Sequence, residues 1–282
     1  MPDVGTWAKL AAYVVCIGLV LEFAHRIYWR LNRAAMSLPA GPTWRALLCA
    51  LCASVPLVAV LLVTGVFCVY VDRQSLESLG LARRADSLLL LAGGVAIAFA
   101  SVGILFLVGW GAGWFKVERT SISRSQVPAF CGGASDFLLA AIFEEVAIRG
   151  YVFSVLNHTW GGSIAVAGSA AIFSLFHLIK HPRVPLIFTA NAFLFGLVTA
   201  QVRLVTGSLW APIGLHFGWN LAMGPVFGLP CSGRNYDSGL VCCVAEGPEW
   251  LTGGLYSPDA GILGTGALLI ATAALMTFMP MS

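Results

Sequence analysis

Charged residues are scarce in this sequence, which sets it apart from soluble proteins. Among 282 residues there are 16 Lys and Arg and 13 Asp and Glu, or 10% of the chain, whereas a soluble domain carries roughly 25%. Hydrophobic residues make up 59%, which leaves too few polar side chains to cover a soluble fold. The composition therefore predicts an integral membrane protein. The net charge of +3 is too small to indicate a nucleic-acid partner.

The eight cysteines do not indicate a secreted disulfide scaffold. Four of them lie inside apolar runs, where a thiol behaves as a small hydrophobic group; these are Cys16, Cys49, Cys52 and Cys68. Cys231, Cys242 and Cys243 share one polar segment. A disulfide among these three remains an option if the segment faces an oxidising compartment.

Long apolar runs predict an all-α, polytopic membrane protein with about eight transmembrane helices in one bundle. A spanning helix needs about 20 mainly apolar residues, and the sequence contains no internal repeat that would divide the bundle. The predicted spans are 7–24, 45–71, 87–111, 136–156, 161–179, 184–204, 208–228 and 260–280. Basic residues concentrate after the first span, so the positive-inside rule places segment 25–44 in the cytoplasm and the N-terminus outside.

Three charged residues lie within a predicted span instead of at its ends. They are Glu144, Glu145 and Arg149, and each costs about 2.5–3.5 kcal/mol to insert into a bilayer. Glu145 and Arg149 have the i,i+4 spacing of a helix ion pair, with the acid on the N-terminal side. Glu144 is turned about 100° from Glu145, so one arginine cannot serve both equally. We expect Glu145 and Arg149 to pair and Glu144 to suit proton transfer. The competing interpretation is an ion-pair network that only holds helices together.

Later spans contribute polar side chains at a matching depth. Phe173 and His177 are i,i+4 neighbours in one span, and His216 and Asn220 repeat that spacing in another. Histidine and asparagine inside a membrane usually face the bundle interior. His181 stands at metal-ligand spacing from His177, but a proline follows it, which favours a loop. Three spans thus offer groups suited to a base, an orienting residue and an oxyanion donor, or to metal ligation.

Four short motifs follow one another through consecutive spans. They are Glu144-Glu145-x-x-x-Arg149, Phe173-x-x-x-His177, Phe193-x-x-Gly196 and His216-x-x-x-Asn220. In this order they resemble the CAAX-protease and bacteriocin-processing family of intramembrane proteases. The resemblance covers residues 134–228, which would form the catalytic core. An N-terminal part of helices and connectors (1–133) precedes this core, and a loop with the last helix (229–282) follows it.

The resemblance implies hydrolysis of a peptide bond inside the membrane. Glu144 would activate the attacking water, and His177 would help to hold that water. His216 and Asn220 would stabilise the oxyanion that develops during attack. The supporting residues of the motifs are Glu145, Arg149 and Phe173.

The cofactor and the partners are also implied only by the resemblance. The family has been treated both as zinc-dependent and as a metal-free glutamate protease. Glu144, His177 and His216 would be the ligands of one divalent ion, since three nitrogen or oxygen ligands plus water suffice for catalytic zinc. The implied partners are the lipid bilayer and a membrane protein or lipidated peptide as substrate. The compact loops resemble those of bacterial members, which implies a multi-pass protein of the bacterial inner membrane.

Other classes of membrane protein remain as alternatives. No HExxH, GxGD or GxSG motif occurs, which argues against the site-2 zinc, presenilin and rhomboid types of intramembrane protease. The main alternative is a non-catalytic membrane scaffold or bacteriocin-immunity protein with a structural polar cluster. A proton-handling transporter is a further alternative, but the sequence lacks the repeated halves that secondary transporters often show.

Overall fold

The computed structural model is dominated by helices. It describes residues 4–39, 41–120, 123–124, 126–180, 184–231, 233–236 and 239–278. Within these residues the α-helices are α1 (Val4–Ser37), α2 (Pro42–Val66), α3 (Ser87–Gly111), α4 (Val127–Glu145), α5 (Phe153–Trp160), α6 (Gly162–Lys180), α7 (Leu186–Thr206), α8 (Trp210–Leu221), α9 (Glu249–Thr252) and α10 (Ile262–Phe278). Short 3₁₀ turns lie at Leu76–Leu79 and Pro258–Ala260.

The predicted all-α, polytopic membrane fold is confirmed. Within the described residues each predicted span is largely helical, and residues 279–280 of the last predicted span lie outside them. Among the described residues, five helical stretches are long and apolar enough to cross a membrane: Gly5–Ser37, Thr43–Val71, Ser87–Gly111, Gly162–Ile179 and Leu186–Thr206. The number of eight spans stays a prediction, and so does the division of the chain at residues 133 and 228.

Three wide π-helical turns occur in the described part of the chain, each at the end of an α-helix. Phe67–Val71 extends α2, Val146–Val152 joins α4 to α5, and Ala222–Val226 extends α8. The second turn begins directly after Glu145 and contains Arg149, while the third begins two residues after Asn220. Turns of this kind are rare and frequently accompany functional sites. Here they adjoin both the first and the last motif.

Glycines allow the closest helix crossings that shape the site. A Cβ atom at Gly214 in α8 would stand 2.2 Å from the carbonyl oxygen of Leu91 in α3. A Cβ atom at Gly196 in α7 would lie 2.8 Å from Cα of Ala170 in α6. These distances are shorter than any ordinary van der Waals contact, so only glycine permits the backbones to approach this closely. Gly196 thereby brings the third motif against the helix that carries the second.

A two-stranded antiparallel sheet that the sequence does not predict joins two distant parts of the chain. β1 (Phe115–Arg119) follows α3 and pairs antiparallel with β2 (Cys242–Ala245), with Phe115 opposite Ala245. The segment 229–259, predicted as a loop, is therefore tied to the end of α3.

The cysteines of this region form no disulfide. All eight cysteines of the chain are free, so no disulfide links Cys231, Cys242 and Cys243. Burial raises the pKa of the Cys243 thiol to about 12, which makes it unreactive at neutral pH because the thiolate is the nucleophile.

Candidate active site

Glu145 lies at the centre of a buried charge network. Its Oε1 atom accepts hydrogen bonds from Arg149 Nη1 at 3.2 Å and from His216 Nδ1 at 2.9 Å. The side chains of Glu145 and Arg149 are both 0% exposed. Arg149 Nη2 donates to the carbonyl oxygen of Gly196 at 3.2 Å. The predicted ion pair is therefore present, and through His216 and Gly196 it also joins α4 and its π turn to α8 and α7.

Glu144, the adjacent carboxylate, faces a different environment. Its Oε2 atom lies 3.8 Å from His216 Nε2, and its side chain is 21% exposed, against 0% for Glu145. The turn of about 100° between successive helical residues thus places Glu145 in the ion pair and Glu144 at the edge of a cavity. His216 stands between them, with one ring nitrogen directed at each carboxylate. Of the two, only Glu144 can meet a water molecule.

Phe173 packs against three polar motif residues. The centre of its ring lies 4.4 Å from that of His177 and 6.0 Å from that of His216. The guanidinium carbon of Arg149 lies 4.3 Å from the same ring centre, on its face. Such a cation–π contact is stronger when it is desolvated, as it is here. His177 Nδ1 is held 3.0 Å from the carbonyl oxygen of Phe173, so the backbone of its own helix fixes the orientation of this imidazole.

The helices that carry the four motifs (α4, α6, α7 and α8) border one cavity of about 200 Å³, which α1, α2 and α10 also line. Its lining includes Glu144, Phe173, His177, His216 and Asn220. Every residue to which the sequence assigns a direct catalytic role therefore meets in one place. The supporting pair lies immediately behind the cavity wall.

Asp259 faces the same cavity and is missed by sequence reasoning. Its Oδ1 accepts a hydrogen bond from Trp219 Nε1 at 3.0 Å, and its Oδ2 accepts one from Ser257 Oγ at 3.0 Å. Burial raises the pKa of the Asp259 carboxyl, while these hydrogen bonds and the nearby His216 oppose that rise. The sequence shows only an aspartate just before an apolar run, which is also an ordinary way to begin a helix.

Asn191 of α7 holds the turn that carries Asp259. Its Nδ2 donates to the carbonyl oxygens of Asp259 and Gly261 at 2.8 and 3.1 Å, and its Oδ1 accepts from Thr265 Oγ1 at 2.7 Å. Here a signal was available, because an amide inside a predicted span usually bonds to a neighbouring helix.

Three further polar residues, which lie outside the four motifs, also line the cavity. Tyr28, Asp136 and Arg234 belong to the lining, and the Tyr28 hydroxyl lies 3.5 Å from Asp136 Oδ2, to which it donates. The Arg234 guanidinium carbon lies 5.3 Å from the ring centre of Trp29. The cavity thus offers both a cation and an anion to a polar ligand, besides the residues of the motifs.

The arrangement of donors bears on the predicted metal ion. Among the described residues, no group of three or more His, Cys, Asp and Glu side chains is placed to hold a metal ion. His216 directs Nδ1 at Glu145 and Nε2 at Glu144, so the set of Glu144, His177 and His216 does not form a three-ligand site as it stands. His181 lies outside the described residues. A divalent ion at this site stays a prediction.

Comparison with known proteins identifies the part of the chain that builds this site. A family model described as "Rce1-like: Type II CAAX prenyl endopeptidase Rce1-like" matches residues 126–222. The matched region contains all four motifs and runs from the start of α4 to the end of α8. None of the curated proteins matches the chain. The part of the chain that holds the cavity is therefore similar to the Rce1-like type II CAAX prenyl endopeptidases.

Proposed function

We propose that this protein is an intramembrane endopeptidase that uses Glu144 to activate water for hydrolysis of a membrane-associated or CAAX-like substrate. The observation that carries the proposal is the contrast between the two adjacent carboxylates. Glu145 is fully buried in an ion pair, while Glu144 reaches the cavity opposite His216. A general base needs access to water, and only Glu144 has it.

The first step is attack of water on the carbonyl carbon of the scissile peptide bond. Glu144 accepts one proton of that water, and His177, held through Nδ1 by the Phe173 carbonyl, helps to orient it through Nε2. The new bond joins the water oxygen to the carbonyl carbon, and the carbonyl oxygen takes up the electron pair. Holding water and substrate together in this way avoids much of the entropic cost of a bimolecular step.

The second requirement is to stabilise the oxyanion that forms. The Asn220 amide can donate to it, as can His216 Nε2 when the imidazole is protonated. Glu145 accepts from His216 Nδ1 at 2.9 Å, which fixes the orientation of the ring. Donors that are already oriented in a site of low dielectric are usually the largest contribution to acyl-transfer catalysis.

The last step breaks the carbon–nitrogen bond. Glu144 returns its proton to the leaving nitrogen, which departs as an amine and becomes the new N-terminus, while the carbonyl side becomes a carboxylic acid. Glu145 and Arg149 take no part in these proton transfers, because their ion pair is closed off from the cavity water. Their role is to hold His216 and Gly196 in place.

The substrate class follows from where the cavity lies. A cavity of about 200 Å³ within a helical bundle admits an extended peptide segment and not a folded domain. The family description names CAAX prenyl endopeptidases, so we propose a membrane protein or a lipidated C-terminal peptide as substrate. The compact chain fits a multi-pass protein of a bacterial inner membrane.

A survey of protein termini tests the proposal in cells. Membranes would be compared from cells carrying wild type, Glu144→Gln or Glu77→Gln at matched expression. Glu77→Gln is the control because it makes the same chemical change in an exposed 3₁₀ turn. We expect a small set of new termini in wild type and Glu77→Gln that is missing from Glu144→Gln. Those termini would name the substrate and the cleavage position.

The same survey addresses the scaffold and immunity alternatives. If all three strains have identical termini, the protein does not cleave other membrane proteins. A cellular phenotype that persisted in Glu144→Gln would then support a non-catalytic role for the polar cluster. The network that joins α4, α7 and α8 through Arg149 would be sufficient for such a role.

A further inference from the structure

A second buried arginine has no acidic partner among the residues that the structure describes. Arg203, near the end of α7, is 8% exposed, and its Nε donates to the carbonyl oxygen of Arg149 at 3.3 Å. Within the described residues, no carboxylate lies within 4.0 Å of its guanidinium, and it makes no other hydrogen bond. A guanidinium carries five N–H donors, so four find no acceptor in the described part of the protein. Burying a charge in this way is costly unless something compensates it.

The guanidinium borders a cavity of about 530 Å³ that is separate from the catalytic one. Arg203 and Lys9 contribute cationic groups to its lining, and Ser154, Asn157 and His158 contribute further polar groups. The cavity is therefore large enough for a small-molecule ligand, since such sites measure about 300–1,000 Å³.

The charges around this cavity do not cancel. Asp72 also belongs to the lining, but it forms a salt bridge with Lys9 at 2.5 Å. That pair is neutral as a unit, so the charge of Arg203 remains. An electropositive cavity with unused N–H donors is suited to an anion.

The backbone makes room for this guanidinium. Gly80 has a φ of +93°, and a Cβ atom there would lie 2.9 Å from Arg203 Cζ. The Gly80 carbonyl accepts a hydrogen bond from the amide of Leu209 at 2.9 Å, which ties the α2–α3 connection to the turn before α8. Arg203 is thus held by packing in a fixed position and not by an ion pair.

We propose that this second cavity binds a phosphate group through Arg203. The planar fork of a guanidinium matches two oxygens of a phosphate. The cavity is lined from the start of α1, the end of α2, α5 and the end of α7, and helix ends lie where a bilayer meets water. The phosphate can come from a lipid headgroup or from free phosphate, and the two sources are separated below.

Thermal unfolding of the purified protein in a neutral detergent tests the proposal. The probes are sodium phosphate, and short-chain dioctanoyl-phosphatidylglycerol, with sodium chloride at matched ionic strength as the salt control. The variants are Arg203→Gln, which removes the cation, and Arg83→Gln, which removes an exposed cation outside the cavity. Ser154→Phe narrows the cavity and leaves Arg203 in place, so it decides the outcome if Arg203→Gln does not fold.

A ligand that binds only the folded state raises the unfolding midpoint. We expect a rise of several degrees in wild type and Arg83→Gln, lost in Arg203→Gln and reduced in Ser154→Phe. A rise with phosphatidylglycerol alone identifies a lipid headgroup, and a rise with both probes or with phosphate alone identifies the free anion as sufficient. No rise in wild type with either probe would overturn the proposal. The proposal would also be overturned if the unfolding midpoints of Arg203→Gln and Ser154→Phe rose by as much as that of wild type.

Discussion

Arg149 and Arg203 are both buried cations, yet the protein surrounds them differently. Arg149 has a carboxylate at 3.2 Å, a backbone carbonyl at 3.2 Å and the face of Phe173 at 4.3 Å. Arg203 has a backbone carbonyl at 3.3 Å and Phe153 at 5.6 Å, and the described residues offer it no carboxylate. One hydrogen bond joins the two, since Arg203 donates to the Arg149 carbonyl.

This difference in surroundings indicates that Arg149 stabilises the fold, while Arg203 is available to bind a ligand. When a buried ion pair is complete, removal of one partner leaves the other charge stranded in a medium of low dielectric. When a cation has no protein partner, its removal strands nothing. Arg149 should therefore be required for folding, while Arg203 should be required for binding an anion.

Replacement of Arg149 should have the largest effect on stability. Arg149→Met leaves the Glu145 carboxylate buried without its cation, and breaking such a pair costs about 3–5 kcal/mol. The free energy of unfolding in detergent would measure this loss. Arg149→Lys keeps a charge near Glu145 and should lose clearly less. Equal losses in the two variants would show that the planar guanidinium of Arg149, and not its charge alone, stabilises the network.

Replacement of the glycine that packs near each arginine should have the next largest effect on stability. Gly196→Ala brings a Cβ atom to 2.8 Å from the Cα of Ala170, and neither backbone can yield without moving a helix. We expect a loss of about 3 kcal/mol, at the upper end for overpacking. At Gly80 the three atoms nearest to an added Cβ all belong to the flexible side chain of Arg203, but φ is positive there, so Gly80→Ala is expected to cost about 1–2 kcal/mol. The free energies of unfolding of the two variants test this order. A larger loss for Gly80→Ala than for Gly196→Ala would contradict it.

Replacement of Arg203 should have the smallest effect. Arg203→Met removes one hydrogen bond to a backbone carbonyl and leaves no charge unpaired, so we expect a loss of about 1 kcal/mol without added phosphate. The methionine chain retains contact with Phe153. The measurement is the same unfolding experiment in phosphate-free detergent. A loss as large as that of Arg149→Met would mean that Arg203 is also a structural cation.

Sequence spacing predicted the part of the site that depends on single helices. The i,i+4 step places Arg149 against Glu145, and the angle between successive residues turns Glu144 elsewhere. Because charges inside a membrane are costly, these residues stand out without any structure. The meeting of His177 and His216 with Glu144 was expected from their similar depth in neighbouring spans.

Contacts that depend on tertiary packing could not be predicted in the same way. Asp259 lies beyond the matched motifs and reaches the cavity only because Asn191 holds the turn that carries it. Arg203 stands at the end of a span, where cations are common, so the sequence alone does not single it out. Its burial depends on Gly80, which is more than 100 residues away along the chain.

The most direct test of the central claim is the rate of cleavage by purified protein in proteoliposomes. The substrate would be the one identified by the survey of termini, and the variants would be Glu144→Gln and Glu77→Gln. Loss of a general base lowers the rate by about 10²–10⁴-fold, so we expect that loss in Glu144→Gln with an unchanged unfolding midpoint, and the wild-type rate in Glu77→Gln. Cleavage by Glu144→Gln at the wild-type rate would show that Glu144 does not activate the water.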